Sequence, residues 1–130
     1  MADDNRMVSF TLGGMVFEYD ELKNQTNIRK HGLSFKSAAR VFFDYDRIEF
    51  YDDAHSEAEP RYDTIGDLSA GNAVHPEENV LIGKIQEVLF VVYTERFRTD
   101  ENGNKTDVTR LISARLATNF ERGLYYGKYE

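Results

Sequence analysis

Three groups of residues have the types and spacing for chemistry. Arg29-Lys30-His31-Gly32 sets two cations beside an imidazole. A histidine titrates near neutrality, so His31 or Lys30 is a candidate base or acid next to a phosphate. The same four residues also suit the last turn of a helix, where cations meet the negative dipole end and glycine stops the chain. The second group, Asp52 and Asp53 followed by His55-Ser56-Glu57-Ala58-Glu59-Pro60-Arg61, mixes carboxylates with a histidine. These are metal-donor types, but the i, i+4 histidine pair of a zincin and the twelve-residue calcium loop are both missing. A solvated acidic loop is the simpler reading. Arg61, entering a strand between Glu59 and Asp63, either forms ion pairs or faces a site. The third group is the arginine set Arg96, Arg98, Arg110, Arg115 and Arg122. Arginine is always charged and offers a planar fork of donors, which suits a phosphate or a pentavalent phosphorane. Glu95, Asp107 and Glu121 are available as ordinary surface partners instead. Tyr125, Tyr126 and Tyr129 can stack on bases or pack against a sheet.

These residues need elements to hold them. Val8 to Leu12 and Met15 to Tyr19 alternate apolar and polar around Gly13-Gly14, a hairpin signal. Asp20 can cap a helix starting at Glu21 and ending at Gly32. Ser34 can cap a second, short helix whose Phe35, Ala38, Ala39 and Phe42 repeat at i, i+3, i+4 and i+7. After the acidic turn at Asp44 to Asp46, strands are expected around Ile48 to Tyr51, Arg61 to Ile65, Val80 to Ile85, Val88 to Glu95 and Val108 to Ala114. A loop is expected over Gly66 to Glu78 and a turn over Arg98 to Lys105. Thr118-Asn119-Phe120-Glu121 matches a capping box and places a last helix at Asn119 to Tyr126. The order is hairpin, two helices, antiparallel meander, helix, which predicts an α+β domain with helices against one sheet. On the strand ending Tyr93-Thr94-Glu95-Arg96, Thr94 and Arg96 share a face.

Composition limits what this domain can be. The chain has 130 residues and 15.0 kDa, enough for one domain with its own core. Cysteine is absent, which excludes disulfides, thiol catalysis and thiolate metal sites. No Walker loop, nucleophile elbow, dinucleotide fingerprint or zinc pattern occurs, so neither cofactor nor metal is expected. The longest apolar run, Val88 to Tyr93, is too short to span a bilayer, and the first residues lack the plan of a secretory signal. A soluble cytoplasmic protein is expected. Net charge is −7, and it is uneven: from Asp44 to Glu78 there are 11 acids against Arg47 and Arg61, while the remainder is slightly basic. Such a balance argues against broad, non-specific nucleic-acid binding and leaves room for a local basic site.

Phe17-Glu18-Tyr19-Asp20, Lys23, Asn27, Lys30-His31-Gly32 and Phe35 together resemble the opening signature of the BrnT-type toxins, a branch of the RelE-like ribonuclease superfamily. Asp53, His55-Ser56, Glu59, Arg61-Tyr62 and Ile65-Gly66 are similar to that family's middle block. Val91 to Arg96, Arg110 to Thr118 and Glu121-Arg122 are similar to its end block. The resemblance runs from Phe17 to about Tyr126. It implies a RelE-like fold, a twisted antiparallel sheet with N-terminal helices and one C-terminal helix packed on it. Residues 1–130 would form a single domain, with 1–16 an N-terminal strand extension and 66–87 an insertion or extended hairpin. An alternative alignment of Ile82-Gly83 with the family's Ile-Gly would instead put Arg61 in an insertion. The function implied is that of a cytoplasmic toxin cleaving RNA without metal, by attack of the 2′-hydroxyl, to leave a 2′,3′-cyclic phosphate and arrest growth. A cognate BrnA-type antitoxin would neutralise it, and DNA would be met only through that partner. Arg61, Arg96 and Arg115, with Arg110 as a further candidate, would stabilise the phosphorane, and His31 or Lys30 would serve as base or acid. A different reading keeps the fold and the partner but no catalysis, the exposed arginines forming a docking surface for an acidic protein.

Overall fold

The computed structural model describes residues 6–69 and 87–127. The strands are β1 Met7–Leu12, β2 Met15–Asp20, β3 Ile48–Tyr51, β4 Tyr62–Asp67, β5 Val88–Thr99 and β6 Lys105–Leu116. The α-helices are α1 Glu21–His31, α2 Phe35–Ala38 and α3 Asn119–Tyr125, with 3-10 turns at Ala39–Phe43 and Asp53–His55. All six strands form one sheet in the order β1-β2-β6-β5-β4-β3. The architecture is α+β, as the alternation of periods predicts.

Local signals decide the ends of the helices. The Asp20 side chain accepts from Leu22 N at 2.8 Å and Lys23 N at 3.3 Å, opening α1 where the orphan N–H groups need an acceptor. Gly32, at φ 70°, closes it in the left-handed conformation that favours glycine. Ser34 caps α2, and Thr118 with Glu121 forms the full capping box of α3. The expected apolar stripe of Phe35, Ala38, Ala39 and Phe42 is buried, although the helix tightens to 3-10 geometry after Ala38.

The core lies on one face of the sheet, under α1, α2 and the 3-10 turn. It is lined by Phe17 and Tyr19 of β2, Leu89, Val91 and Tyr93 of β5, and Leu111 and Ala114 of β6. Aromatic rings run across it from Phe10 to Phe17 (5.2 Å between centroids), Phe42 (5.5 Å), Tyr93 (5.0 Å) and Tyr62 (5.7 Å). The alternate residues Phe90, Val92, Thr94 and Arg96 of β5 face the other way.

The structure departs from expectation in two respects. The sheet is mixed, not purely antiparallel: β2 pairs parallel with β6 (Val16 with Val108, Glu18 with Arg110). The chain leaves β2 into α1 and returns beside it only at its last strand, a long crossover that parallel pairing requires. The β5–β6 hairpin is also longer than its apolar stretches suggest, running to Thr99 opposite Lys105. Its turn is self-contained, with Asp100 Oδ1 accepting from Asn102 N (2.8 Å) and Asn104 N (2.9 Å), so the ladder continues through exposed residues. A bulge interrupts this ladder between Val92 and Tyr93, opposite Ser113 and Leu111, leaving Ile112 unopposed. The strand expected at Val80 to Ile85 lies outside the described residues.

Candidate active site

Where β2 ends, α1 takes its place beside β6. Asn27 is only 6% exposed, and its amide copies a strand: Nδ2 donates to Ala114 O at 2.8 Å while Oδ1 accepts from Ala114 N at 3.1 Å. Nδ2 also donates to Leu33 O at 3.0 Å, and Asn24 Oδ1 accepts from Phe35 N at 2.9 Å. The buried residues of α1 are these two asparagines, so the helix is fixed to the sheet by amide hydrogen bonds.

The segment from Asp52 to Arg61 is held just as closely. Ser56 Oγ donates to Asp52 O at 2.6 Å and accepts from Arg61 N at 2.9 Å, and Asp52 N donates to Arg61 O at 2.9 Å. Thr94 Oγ1 donates to Pro60 O at 2.7 Å, tying the segment to β5. The acidic loop is solvated as expected, with Asp53, His55 and Glu57 exposed, and it is also closed into a turn that presents His55 and Arg61 next to the sheet.

A cavity of about 310 Å³ opens there, lined by Asp52, His55, Arg61, Asp63, Phe90, Val92, Ile112, Ser113 and Arg115. Two of the predicted arginines, Arg61 and Arg115, thus share one cavity with an imidazole. Arg115 lies with its guanidinium carbon 4.2 Å from the centroid of Phe90 and is gripped by Glu121 in bidentate fashion (2.8 and 3.0 Å). Glu121 raises the Arg115 pKa. Burial works against ionisation of Glu121, but Arg115 and the Thr118 backbone outweigh it and hold the carboxyl below its ordinary value. Arg61 is less occupied. Its Nη2 lies 3.6 Å from Glu59 Oε2, and its buried Nε has no hydrogen-bond partner.

Carboxylates that the sequence offers no reason to pair complete the cavity wall. His55 Nδ1 is 3.0 Å from both oxygens of Asp52. Asp52 and Asp63 hydrogen-bond each other. Burial chiefly, then Asp52, pushes the Asp63 pKa up to about 7, against the opposing charges of His55 and Arg115. Asp52 moves the other way: burial would raise it, but the bonds from Asp63 and His55 hold it low. Asp63 is 4% exposed, and its Oδ1 is buried without a partner. Among the described residues, no three acidic or histidine side chains gather as they would to hold a metal ion.

The other predicted residues fall nearby or apart. Arg96 lies beside the cavity, its Nη2 donating to Glu59 Oε1 at 2.8 Å, so Glu59 links it to Arg61. Arg110 donates from Nε to Glu18 Oε2 at 2.7 Å, in a cluster with Arg98 and Ser9 further along the sheet. Burial would raise the Glu18 pKa, but Arg98 and Arg110 overcome it and lower it. Lys30 and His31 are exposed and line a second cavity of about 330 Å³ with Arg6, Asp20, Leu22, Lys23, Thr26 and Asn27. Ile112 and Ser113 border both cavities, so the two adjoin across the bulge of β6. Tyr125 Oη donates to Asp44 Oδ2 at 2.5 Å, holding α3 to the rest of the domain, and Tyr126 is exposed. Tyr129 lies outside the described residues.

His55 and Asp52, which the sequence offers only as metal-donor types in an acidic loop, and Asp63, to which it gives no role, are the further residues of the site. His55 and Asp52 stand three residues apart with Ser56 next, a spacing that allows a turn with the imidazole folded back on the carboxylate. Nothing local marks Asp63. No curated protein matches the chain. Residues 19–76, which span α1, α2, the Asp52–Arg61 turn and β4, match the family model described as the ribonuclease toxin BrnT of type II toxin–antitoxin systems.

Proposed function

We propose that the chain is the toxin of a type II toxin–antitoxin pair and cleaves RNA at the cavity between the Asp52–Arg61 turn and β6. The observation that carries this reading is the cavity itself. It brings two guanidinium groups and an imidazole together, and Arg61 and His55 of these fall within the residues that match the ribonuclease-toxin model. Buried donors without partners are rare, and Arg61 keeps guanidinium donor capacity that the protein does not use, which suits it to an acceptor from outside such as a phosphate oxygen. Arg61 and Arg115 would hold the scissile diester and stabilise charge on the phosphorane, with Arg96 entering when substrate displaces Glu59. Lys30 and His31, in the adjoining cavity, would contact the continuing backbone. The 2′-hydroxyl would attack without a metal and leave a 2′,3′-cyclic phosphate. The fold would be a RelE-like variant, the setting cytoplasmic, and the neutralising partner a BrnA-type antitoxin that also supplies any contact with DNA.

The purified chain should cut a labelled single-stranded RNA in EDTA and leave cyclic phosphate ends. Arg61→Ala should lower kcat by about 100-fold or more, the scale of losing one donor to a developing anion. Its expression alone should stop growth, and co-expression of the antitoxin should restore it. A chain that neither cuts RNA nor slows growth rules the reading out. One observation favours a non-catalytic module instead: Arg96, Arg110 and Arg115 each have a glutamate partner. On that reading Arg96→Ala weakens partner binding and the parent protein has no ribonuclease activity.

A further inference from the structure

We propose that Asp63 and His55 are the proton-transfer pair of this cavity, Asp63 protonating the departing 5′-oxygen and His55 taking the proton of the 2′-hydroxyl. The assignment rests on the ribonuclease reading above and gives that site its acid and base.

The geometry carries it. Both residues line the cavity that Arg61 and Arg115 share. Asp63 is more than nine-tenths buried in the cavity wall, and its Oδ1 has no hydrogen-bond partner in the protein. Its other interactions all face it from known elements. Asp52 and His55 come from the turn before β4, Arg115 from β6, and its ladder neighbours Phe50 of β3 and Val92 of β5 are apolar. Two carboxyl groups in contact cannot both ionise cheaply, so one proton stays between them. Asp52 keeps the charge because it also holds His55, and Asp63 holds the proton up to about pH 7. A carboxylic acid so placed is a general acid whose strength matches its working pH. His55 receives the complementary role from the same Asp52. With Nδ1–H donating to the carboxylate, the neutral ring has its lone pair on Nε2.

The step balances without any further reagent. The 2′-oxygen gives its proton to His55 Nε2 and bonds phosphorus. The P–O5′ bond breaks with its electron pair on O5′, which takes the proton of Asp63. A 2′,3′-cyclic phosphate and a 5′-hydroxyl result, and proton exchange with solvent resets the pair.

The test compares two substrates: ordinary RNA and the same RNA with sulfur replacing the bridging 5′-oxygen, a leaving group that needs no proton. Asp63→Asn, an isosteric change whose folding is checked by thermal unfolding, should lose about 100-fold or more in kcat on ordinary RNA at nearly unchanged KM. On the sulfur substrate it should approach the wild-type rate, and its rate should no longer fall above about pH 7. His55→Gln should instead be slow on both substrates. An Asp63→Asn protein equally fast on ordinary RNA, or equally slow on both substrates, overturns the assignment. A wild-type protein that cuts neither substrate overturns the ribonuclease reading itself, and the assignment with it.

Discussion

At position 63 a carboxyl group sits almost out of water against a second carboxylate, and ionising both costs the fold stability. The consequence for stability has a definite sign. Unfolded, Asp63 releases its proton near pH 4, whereas folded it holds it to about 7. Between those values the native state binds more protons than the unfolded chain, so stability falls as pH rises, by on the order of 1 kcal/mol per pH unit. Asp52, shifted downward, acts only below pH 4 and leaves this window alone. Wild type should therefore unfold in urea more easily at pH 8 than at pH 5, and Asp63→Asn should remove most of that difference. Equal dependence in both proteins would place the proton elsewhere. Glu59 is the other residue under tension. It binds Arg96 at 2.8 Å and stands 3.6 Å from Arg61, with its side chain 28% exposed. Surface pairs of this kind are worth about 1 kcal/mol at most. Glu59→Gln should thus cost little stability and release two guanidinium groups, tightening RNA binding several-fold by fluorescence polarisation. An unchanged or weaker affinity would mean that neither arginine meets the phosphate.

Among the elements, α1 is unusual in being fastened by side-chain amides. Asn27 serves the N–H and C=O of Ala114 and the carbonyl of Leu33, groups that β2 would otherwise have had to reach. Asn27→Ala leaves buried backbone groups unpaired at about 1–3 kcal/mol for each that finds no water. The expected loss is about 3 kcal/mol, read as a lower urea midpoint at constant m-value. Activity should fall as well, because α1 lines the second cavity and the neighbouring Ile112-Ser113 border both. The elements differ in how plainly they are written in the chain. Asp20, Gly32, Ser34 and the Thr118–Glu121 box are legible because a helix end is decided within about four residues. The parallel pairing of β2 with β6 is not, since Val16 and Val108 meet only after the whole domain has closed. The candidate site divides in the same way. Arginines are legible by type, but that Arg61 and Arg115 share a cavity while Arg110 turns to Glu18 depends on sheet register. Asp52 and Asp63 meet because the turn fastened by Ser56 returns the chain antiparallel, which no spacing rule announces.

For the molecule as a whole, the two fields an RNA would meet have opposite signs. Far away it meets a body of net charge −7, and close in it meets guanidinium groups already sharing their charge with Glu59, Glu18 and Glu121. A basic ribonuclease attracts its substrate at every range, so added salt only weakens it. Here salt acts twice. From about 0.01 to 0.1 M the Debye length shrinks from roughly 30 to 10 Å, which hides the distant repulsion but leaves contacts of a few ångströms largely intact. Beyond that, the loss of counterion release at the arginines takes over, with a slope of about −0.7 in log affinity per phosphate contacted on a single strand. The kcat/KM for RNA should therefore rise, pass a maximum near 0.1 M salt and then decline gently, since two or three guanidinium contacts give a slope near −2. Glu59→Gln, which both lowers the negative charge and frees cations, should move the maximum to lower salt and steepen the decline. Measuring kcat/KM from 10 mM to 0.5 M KCl decides the matter: a steep fall from the lowest salt onward would mean that RNA is held by a basic surface other than this cavity.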